Sequence, residues 1–144
     1  MQRYSKFGYV KDVLVGAISC KEDIYEDRKE CYIMTITVLK PYRRYGIASQ
    51  LLKQAIQDCM VARDVRRMVL HVQSNNEQAL EFYKKHGFVV ESHLENYYTD
   101  LTPSDCYFLV KTLDPEDASA AEESKAVWLE ILNLIDENLM SWEK

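Results

Sequence analysis

Residues 31–39, CYIMTITVL, form a run rich in Ile, Val, Thr and Tyr that is apolar on both alternating faces. Such a run predicts a central strand covered on both sides. Pro41 ends it, and from Gly46 the positions Ile47, Leu51, Leu52, Ala55, Ile56, Cys59 and Met60 recur at helical spacing to about Ala62. RRMVLHVQ, residues 66–73, reads as a second strand. Strand, helix and strand in that order restrict the chain to a sheet with a helical crossover.

The flanking segments extend this sheet. RYSKFGYV and VLVGAISC sit on either side of Lys11-Asp12 at the spacing of a tight hairpin, and the charged stretch KEDIYEDRKE reads as an exposed connection. Asn75 or Asn76 can cap a further helix with apolar positions Ala79, Leu80, Phe82 and Tyr83, stopped at His86-Gly87. FVVESHLENYY and DCYFLVKTL supply two last strands around a turn at Thr102-Pro103-Ser104. The expected order is β-β-β-α-β-α-β-β, an α/β fold of the α+β kind with a mixed sheet.

With 144 residues and 47% apolar content, the chain has the material for one compact domain, placed at 1–112. Past Asp114-Pro115 the composition turns acidic and alanine-rich, and Ser119 with Glu122 has the form of a capping box. Val127, Trp128, Ile131, Leu132, Leu134, Ile135, Leu139 and Trp142 then form an apolar stripe, so 113–144 is read as an acidic linker and an amphipathic C-terminal helix. A stripe of that kind docks on the body, on a partner, or on a second copy as a dimer interface.

The net charge of −5 conceals an asymmetry: residues after Thr112 hold nine of the 23 acids and two of the 18 bases, which leaves the body at +2. A nearly neutral body with a local basic cluster suits a small anion better than a nucleic-acid backbone. No run approaches the length of about 18 apolar residues needed to span a membrane, and the first twenty residues contain no long apolar signal region. The expectation is a cytoplasmic or nuclear protein that binds neither membrane nor nucleic acid. Cys20, Cys31, Cys59 and Cys106 are scattered, with no C-x-x-C pair and no histidines at metal-ligand spacing. They read as reduced packing residues, with no metal.

The basic cluster is KPYRRYGIASQLL, residues 40–52. A strand end, a basic turn, Gly46 and a helix start bring unpaired backbone N–H groups and the positive end of a helix dipole to one spot. Gly46 and Ala48 lack bulk, so phosphate oxygens can approach the main chain, while Arg43 and Arg44 add charge. A plain strand-to-helix turn with solvated arginines fits the same residues.

The segments YIMTITVLKPYRRYGIASQLL and LHVQSNNEQALEFYKKHGF resemble the Gcn5-related N-acetyltransferase superfamily. Its R/Q-x-x-G-x-G/A turn corresponds to Arg43, Arg44, Tyr45, Gly46, Ile47 and Ala48, and its N-x-x-A-x-x-F-Y-x-x-x-G-F pattern runs from Asn76 to Phe88. YIMT, LHVQ and NYY are similar to the NatE (San) family of N-terminal α-acetyltransferases, over roughly residues 7–112. The resemblance implies acetyl-coenzyme A as co-substrate, held by Ile36, Val38 and Leu39, by Arg43, Arg44, Tyr45, Gly46, Ile47, Ala48 and Ser49, and by Asn76, Ala79 and Tyr83. It implies Tyr32 and His71 as the catalytic pair, and Met34, Tyr97 and Tyr98 as walls of the peptide site. It further implies protein or peptide N-termini beginning with Met and a hydrophobic residue as acceptors, with association to the ribosome-bound NatA complex. Lysine ε-amines are a related acceptor.

Elementary chemistry accommodates these roles. An α-amine with pKa about 8 must lose a proton before attacking a thioester, and a histidine near 6.5 can take it, whereas a tyrosine near 10 orients water or the amine. His71 is read as the base and Tyr32 as its positioning partner. A main-chain N–H near Val38 or Leu39 would meet the oxyanion, and Tyr83 would protonate the thiolate. Alternation sets Tyr32 on one face with Met34, Ile36 and Val38, and His71 with Val69 and Gln73.

Complete superfamily members open with a strand and one or two helices, and in NatE relatives that segment carries one wall of the peptide pocket. Nothing in MQRYSKFGYV resembles it. The chain is therefore read as an N-terminally shortened acetyltransferase, with a coenzyme-A-binding or protein-interaction module as the second reading.

Overall fold

The computed structural model describes residues 3–113, and there the strand read from CYIMTITVL is the third of six. The expected C-terminal helix, with the docking or dimer interface attached to it, lies outside the described residues. The elements are β1 (Lys6–Val10), β2 (Val13–Tyr25), β3 (Arg28–Val38), a 3-10 turn (Lys40–Tyr42), α1 (Ile47–Ala62), β4 (Val65–Gln73), α2 (Glu77–Lys85), β5 (Val89–Leu94) and β6 (Cys106–Thr112). Their order is the expected one. The sheet runs β1-β2-β3-β4-β6-β5, parallel at β3–β4 and antiparallel elsewhere.

The core lies beneath α1, whose Ile47, Leu51, Leu52, Ala55 and Cys59 pack with Ile18, Cys20, Cys31, Ile33, Met68 and Leu70 of the sheet. Gly16 permits that approach. A Cβ there would stand 3.2 Å from Ile47 and 3.3 Å from Leu51. The four cysteines are free and fully buried, as packing residues should be. Asn76 caps α2 by accepting the Ala79 N–H at 3.1 Å, and Gly87 at φ +85° ends it. Among the described residues, no helix is long and apolar enough to cross a membrane.

Three expectations are corrected. The stretch KEDIYEDRKE is not a connection: β2 and β3 stay paired out to Tyr25 and Arg28, closed by a two-residue turn. Glu26 and Asp27 adopt left-handed φ of 50° and 61° there, the primed-turn geometry that matches strand twist. Nor is β3 covered on both faces, since Met34, Thr35 and Thr37 are exposed. The third correction concerns alternation. Ser19 pairs with Thr35 but Cys20 with Ile33, so Met34 is an extra residue in a β-bulge. Beyond it the faces exchange. Ile36 and Val38 pair with Ile18 and Gly16 on the α1 side, and Tyr32 does not share a face with them.

The bulge coincides with a parting of the sheet. Pairing between β3 and β4 covers Lys29–Tyr32 and Val65–Val69 and then stops, although β3 continues to Val38 and β4 to Gln73. The two strands therefore diverge past Tyr32 into a wedge. Below it, the half that remains paired is tied by Arg67 Nε to Glu30 Oε2 at 2.8 Å, with the Arg67 guanidinium 4.1 Å from the Tyr25 ring centroid. Glu30 is only 8% exposed. The Arg67→Ala variant strands that carboxylate and is expected to lose about 3 kcal/mol of stability. Urea unfolding, with the Glu30→Gln/Arg67→Met double variant losing less, checks this.

Candidate active site

Tyr32 stands where β3 and β4 part. It pairs with Val69, so His71 lies two residues further along β4 on the same face. The Tyr32 hydroxyl and His71 Nδ1 are 2.7 Å apart. Tyr97 lies nearly flat on the imidazole, with centroids 4.5 Å apart and planes at 15°. Phe108, opposite His71 in the β4–β6 register, closes the other approach at 4.9 Å. Tyr98 meets Tyr97 edge-on at 5.0 Å, and the Lys21 ammonium sits over the Tyr32 ring at 5.1 Å.

This aromatic enclosure sets the protonation states. Burial pushes His71 below its ordinary 6.5, so the imidazole is neutral at pH 7. Burial, reinforced by neighbouring Tyr97, pushes Tyr32 up to about 12 and keeps the phenol protonated. A neutral imidazole bonded to a neutral phenol holds one free proton acceptor in either tautomer. With Nδ1–H donated to the Tyr32 oxygen it is His71 Nε2; with the phenol donating to Nδ1 it is the Tyr32 oxygen, which can accept a proton as it passes its own to His71. An NMR titration of the three imidazoles, with His71 identified by its loss in His71→Ala, is expected to place the His71 midpoint below 6.5. A midpoint at or above that value would contradict the enclosure.

A second group forms at the start of α1. Arg44 and Gly46 take left-handed φ of 69° and 79°, so the chain turns sharply out of the 3-10 segment into the helix. Gly46 is the N-cap and offers no side chain, which leaves the first-turn N–H groups uncapped at the positive end of the helix dipole. Arg43 donates from Nε to the Val38 carbonyl at 2.9 Å, and Arg43, Arg44 and Tyr45 are exposed around this turn. Ala48 and Ser49 are half-buried and Ile47 is buried. An uncapped helix start preceded by two exposed arginines can hold a diphosphate.

The other expected residues lie in β3, just past its end, and on α2 with its cap. Leu39 gives its N–H to the Val15 carbonyl at 2.8 Å, so that group is not available to an oxyanion. Asn76 is occupied as the α2 cap, Ala79 is half-buried, and Tyr83 is buried against Phe82 and Phe88. Burial holds the Tyr83 phenol protonated, above its ordinary range. Met34, thrown outward by the bulge, is 43% exposed beside the wedge. Sequence reading missed Phe108 and Lys21, which reach the site only through strand pairing with β4 and β3.

Residues 3–88 match the acetyltransferase (GNAT) family. The chain is 38% identical over 119 residues to N-alpha-acetyltransferase 50 of Danio rerio, covering 83% of this chain and 71% of that protein. It is 39% identical over 109 residues to Probable N-acetyltransferase san of Drosophila melanogaster, covering 76% of this chain and 59% of that protein, less than two thirds of its length. Among solved structures, Arabidopsis thaliana Naa50 in complex with the bisubstrate analogue CoA-Ac-MVNAL superposes with a TM-score of 0.70 at 42% identity, covering 76% of this chain and 72% of that one.

Proposed function

The chain belongs to the acetyltransferase (GNAT) family, and from that membership we propose that it transfers acetyl from acetyl-coenzyme A to the α-amine of protein N-termini, as an enzyme of the NatE (San) type. The observation that carries the reading is the 2.7 Å Tyr32–His71 pair at the mouth of the β3–β4 wedge. The uncapped start of α1, with Arg43 and Arg44, fits the diphosphate of the co-substrate.

The division of labour follows from the protonation states. His71, neutral at pH 7, takes the proton that the α-ammonium must lose, and Tyr32 orients the imidazole and relays the proton when its own oxygen faces the amine. The amine nitrogen then bonds to the acetyl carbonyl carbon as the carbon–sulfur bond breaks. Tyr83, held protonated, is the proposed hydrogen-bond donor to the leaving sulfur, and the second proton that the nitrogen loses ends on the thiolate.

Met34, Tyr97 and Tyr98 are the proposed walls for the first residues of the acceptor. The analogue held by the Arabidopsis relative begins Met-Val, which supports acceptors that start with Met and a hydrophobic residue. Lysine side chains are the secondary acceptor, since an ε-amine is harder to deprotonate by about two pKa units. Incubation with acetyl-coenzyme A and a Met-Leu peptide containing an internal lysine, followed by tandem mass spectrometry, is expected to find acetyl on the α-amine. Acetyl confined to the lysine would overturn the acceptor, and coenzyme binding without transfer would leave a coenzyme-A-binding module.

A further inference from the structure

The segment that lays Tyr97 on His71 connects β5 to β6, and it carries little apolar packing of its own: Tyr97, Thr99, Asp100, Leu101 and Thr102 are all exposed. A set of polar bonds holds it instead. From β4, directly beyond His71, Gln73 Nε2 donates to the Pro103 carbonyl at 2.8 Å. The next residue, Ser74, donates from Oγ to Asp105 Oδ1 at 2.7 Å and from its backbone N–H to the Asp105 carbonyl at 3.1 Å. The second carboxylate oxygen, Asp105 Oδ2, lies 2.6 Å from His93 Nε2 on β5. Within the segment, the Tyr98 N–H donates to the Ser104 carbonyl at 2.9 Å.

One carboxylate thus joins the end of β4 to β5 at the foot of the segment, and Gln73 sits two residues from the imidazole. We infer that Asp105, with Gln73 and Ser74, is a positioning device that sets Tyr97 over His71, and so fixes both the wall of the acceptor pocket and the shielding of the imidazole from water. The acceptor half of this inference rests on the function proposed above; the shielding half does not.

The groups facing His71 are Tyr32 from β3, Tyr97 from the segment and Phe108 from β6, with the Lys21 ammonium of β2 over the Tyr32 ring. A change at Asp105 leaves the identity of all four groups as it is and frees only the placement of Tyr97. Releasing Tyr97 opens one side of the imidazole to water, which relieves the desolvation that depresses its protonation. Of the four bonds that tie the segment to β4 and β5, the Gln73–Pro103 bond and the Ser74 N–H bond to the Asp105 carbonyl do not use the carboxylate, and the other two can be remade when Asp105 becomes Asn, because an amide can accept from His93 and donate to the Ser74 hydroxyl.

The test is an NMR titration of His71 in wild type, Asp105→Ala and Asp105→Asn, beside peptide kinetics with a Met-Leu peptide. In Asp105→Ala the His71 midpoint is expected to rise toward 6.5 and the peptide KM about tenfold, as for loss of a charge-assisted hydrogen bond, with acetyl-coenzyme A affinity unchanged. Asp105→Asn is expected within about twofold of wild type. Should Asp105→Ala fail to fold, Ser74→Ala and Gln73→Ala each remove one bond and are expected to move the midpoint in the same direction by less. An unchanged midpoint in variants that still bind acetyl-coenzyme A overturns the inference. A raised midpoint in a protein whose wild type acetylates no peptide would refute the proposed acceptor and leave the shielding role standing.

Discussion

The His71→Ala variant is expected to acetylate a Met-Leu peptide about a thousandfold more slowly than wild type, within the span of general acid–base contributions. Its affinity for acetyl-coenzyme A should not change, because the α1 cradle is built from other residues. The reason for so large an effect is that no other group in the enclosure is a competent base. The Tyr32 phenol is pushed up to about 12, and Phe108 carries no titratable group. Tyr32→Phe keeps the ring and removes only the 2.7 Å bond that orients the imidazole, so a loss nearer tenfold is expected. Steady-state kinetics of both variants decide the assignment. A Tyr32→Phe defect larger than that of His71→Ala would make the tyrosine oxygen the principal acceptor.

The second large effect is expected at the helix start. Arg43→Glu places a carboxylate where the diphosphate should sit, against the helix dipole, and calorimetric titration with acetyl-coenzyme A is expected to show about a hundredfold weaker binding. Arg43 also braces the turn through its bond to the Val38 carbonyl, which makes Arg43→Gln the informative companion. Glutamine can reach that carbonyl without carrying charge. A loss of about tenfold in Arg43→Gln, which keeps the bond, would assign that part of the effect to the lost positive charge, and wild-type binding by Arg43→Gln would assign the Arg43→Glu loss to the broken bond and the added carboxylate.

Much of this architecture was legible in the sequence because its signals are local. The hydrophobic periods of CYIMTITVL, IASQLLKQAIQDCM and RRMVLHVQ fall in consecutive elements, and the Asn76 cap and His86-Gly87 stop mark their helix in a few residues. The helix start at Gly46 was readable for the same reason. What escaped was decided across strands. Glu26-Asp27 lacks the Gly or Asn that announces a hairpin turn, so the paired arms of β2 and β3 looked like a charged loop. The bulge at Met34 exists only relative to Ser19 and Cys20, and it reverses the face of Ile36 and Val38. Likewise Phe108 and Asp105 meet β4 through pairing between elements distant in sequence, which no period or motif records.

The resemblance to NatE relatives nominated Tyr32 and His71, and strand alternation alone could not have shown that they touch. The register does so: Tyr32 opposite Val69 brings the phenol within reach of the imidazole at the point where the strands separate. The same wedge explains why a bulged strand is useful here, since it parts two parallel strands while the half below stays anchored by Glu30 and Arg67.

The central claim is that this site moves acetyl to a free α-amine, and release of the coenzyme A thiol tests it most directly. The protein is mixed with acetyl-coenzyme A and a Met-Leu peptide, with the same peptide formylated at its N-terminus as the control. Multiple turnovers of thiol release are expected with the free peptide and none above slow thioester hydrolysis with the blocked one. Equal release from both peptides, or none from either by a protein that binds acetyl-coenzyme A, would contradict it.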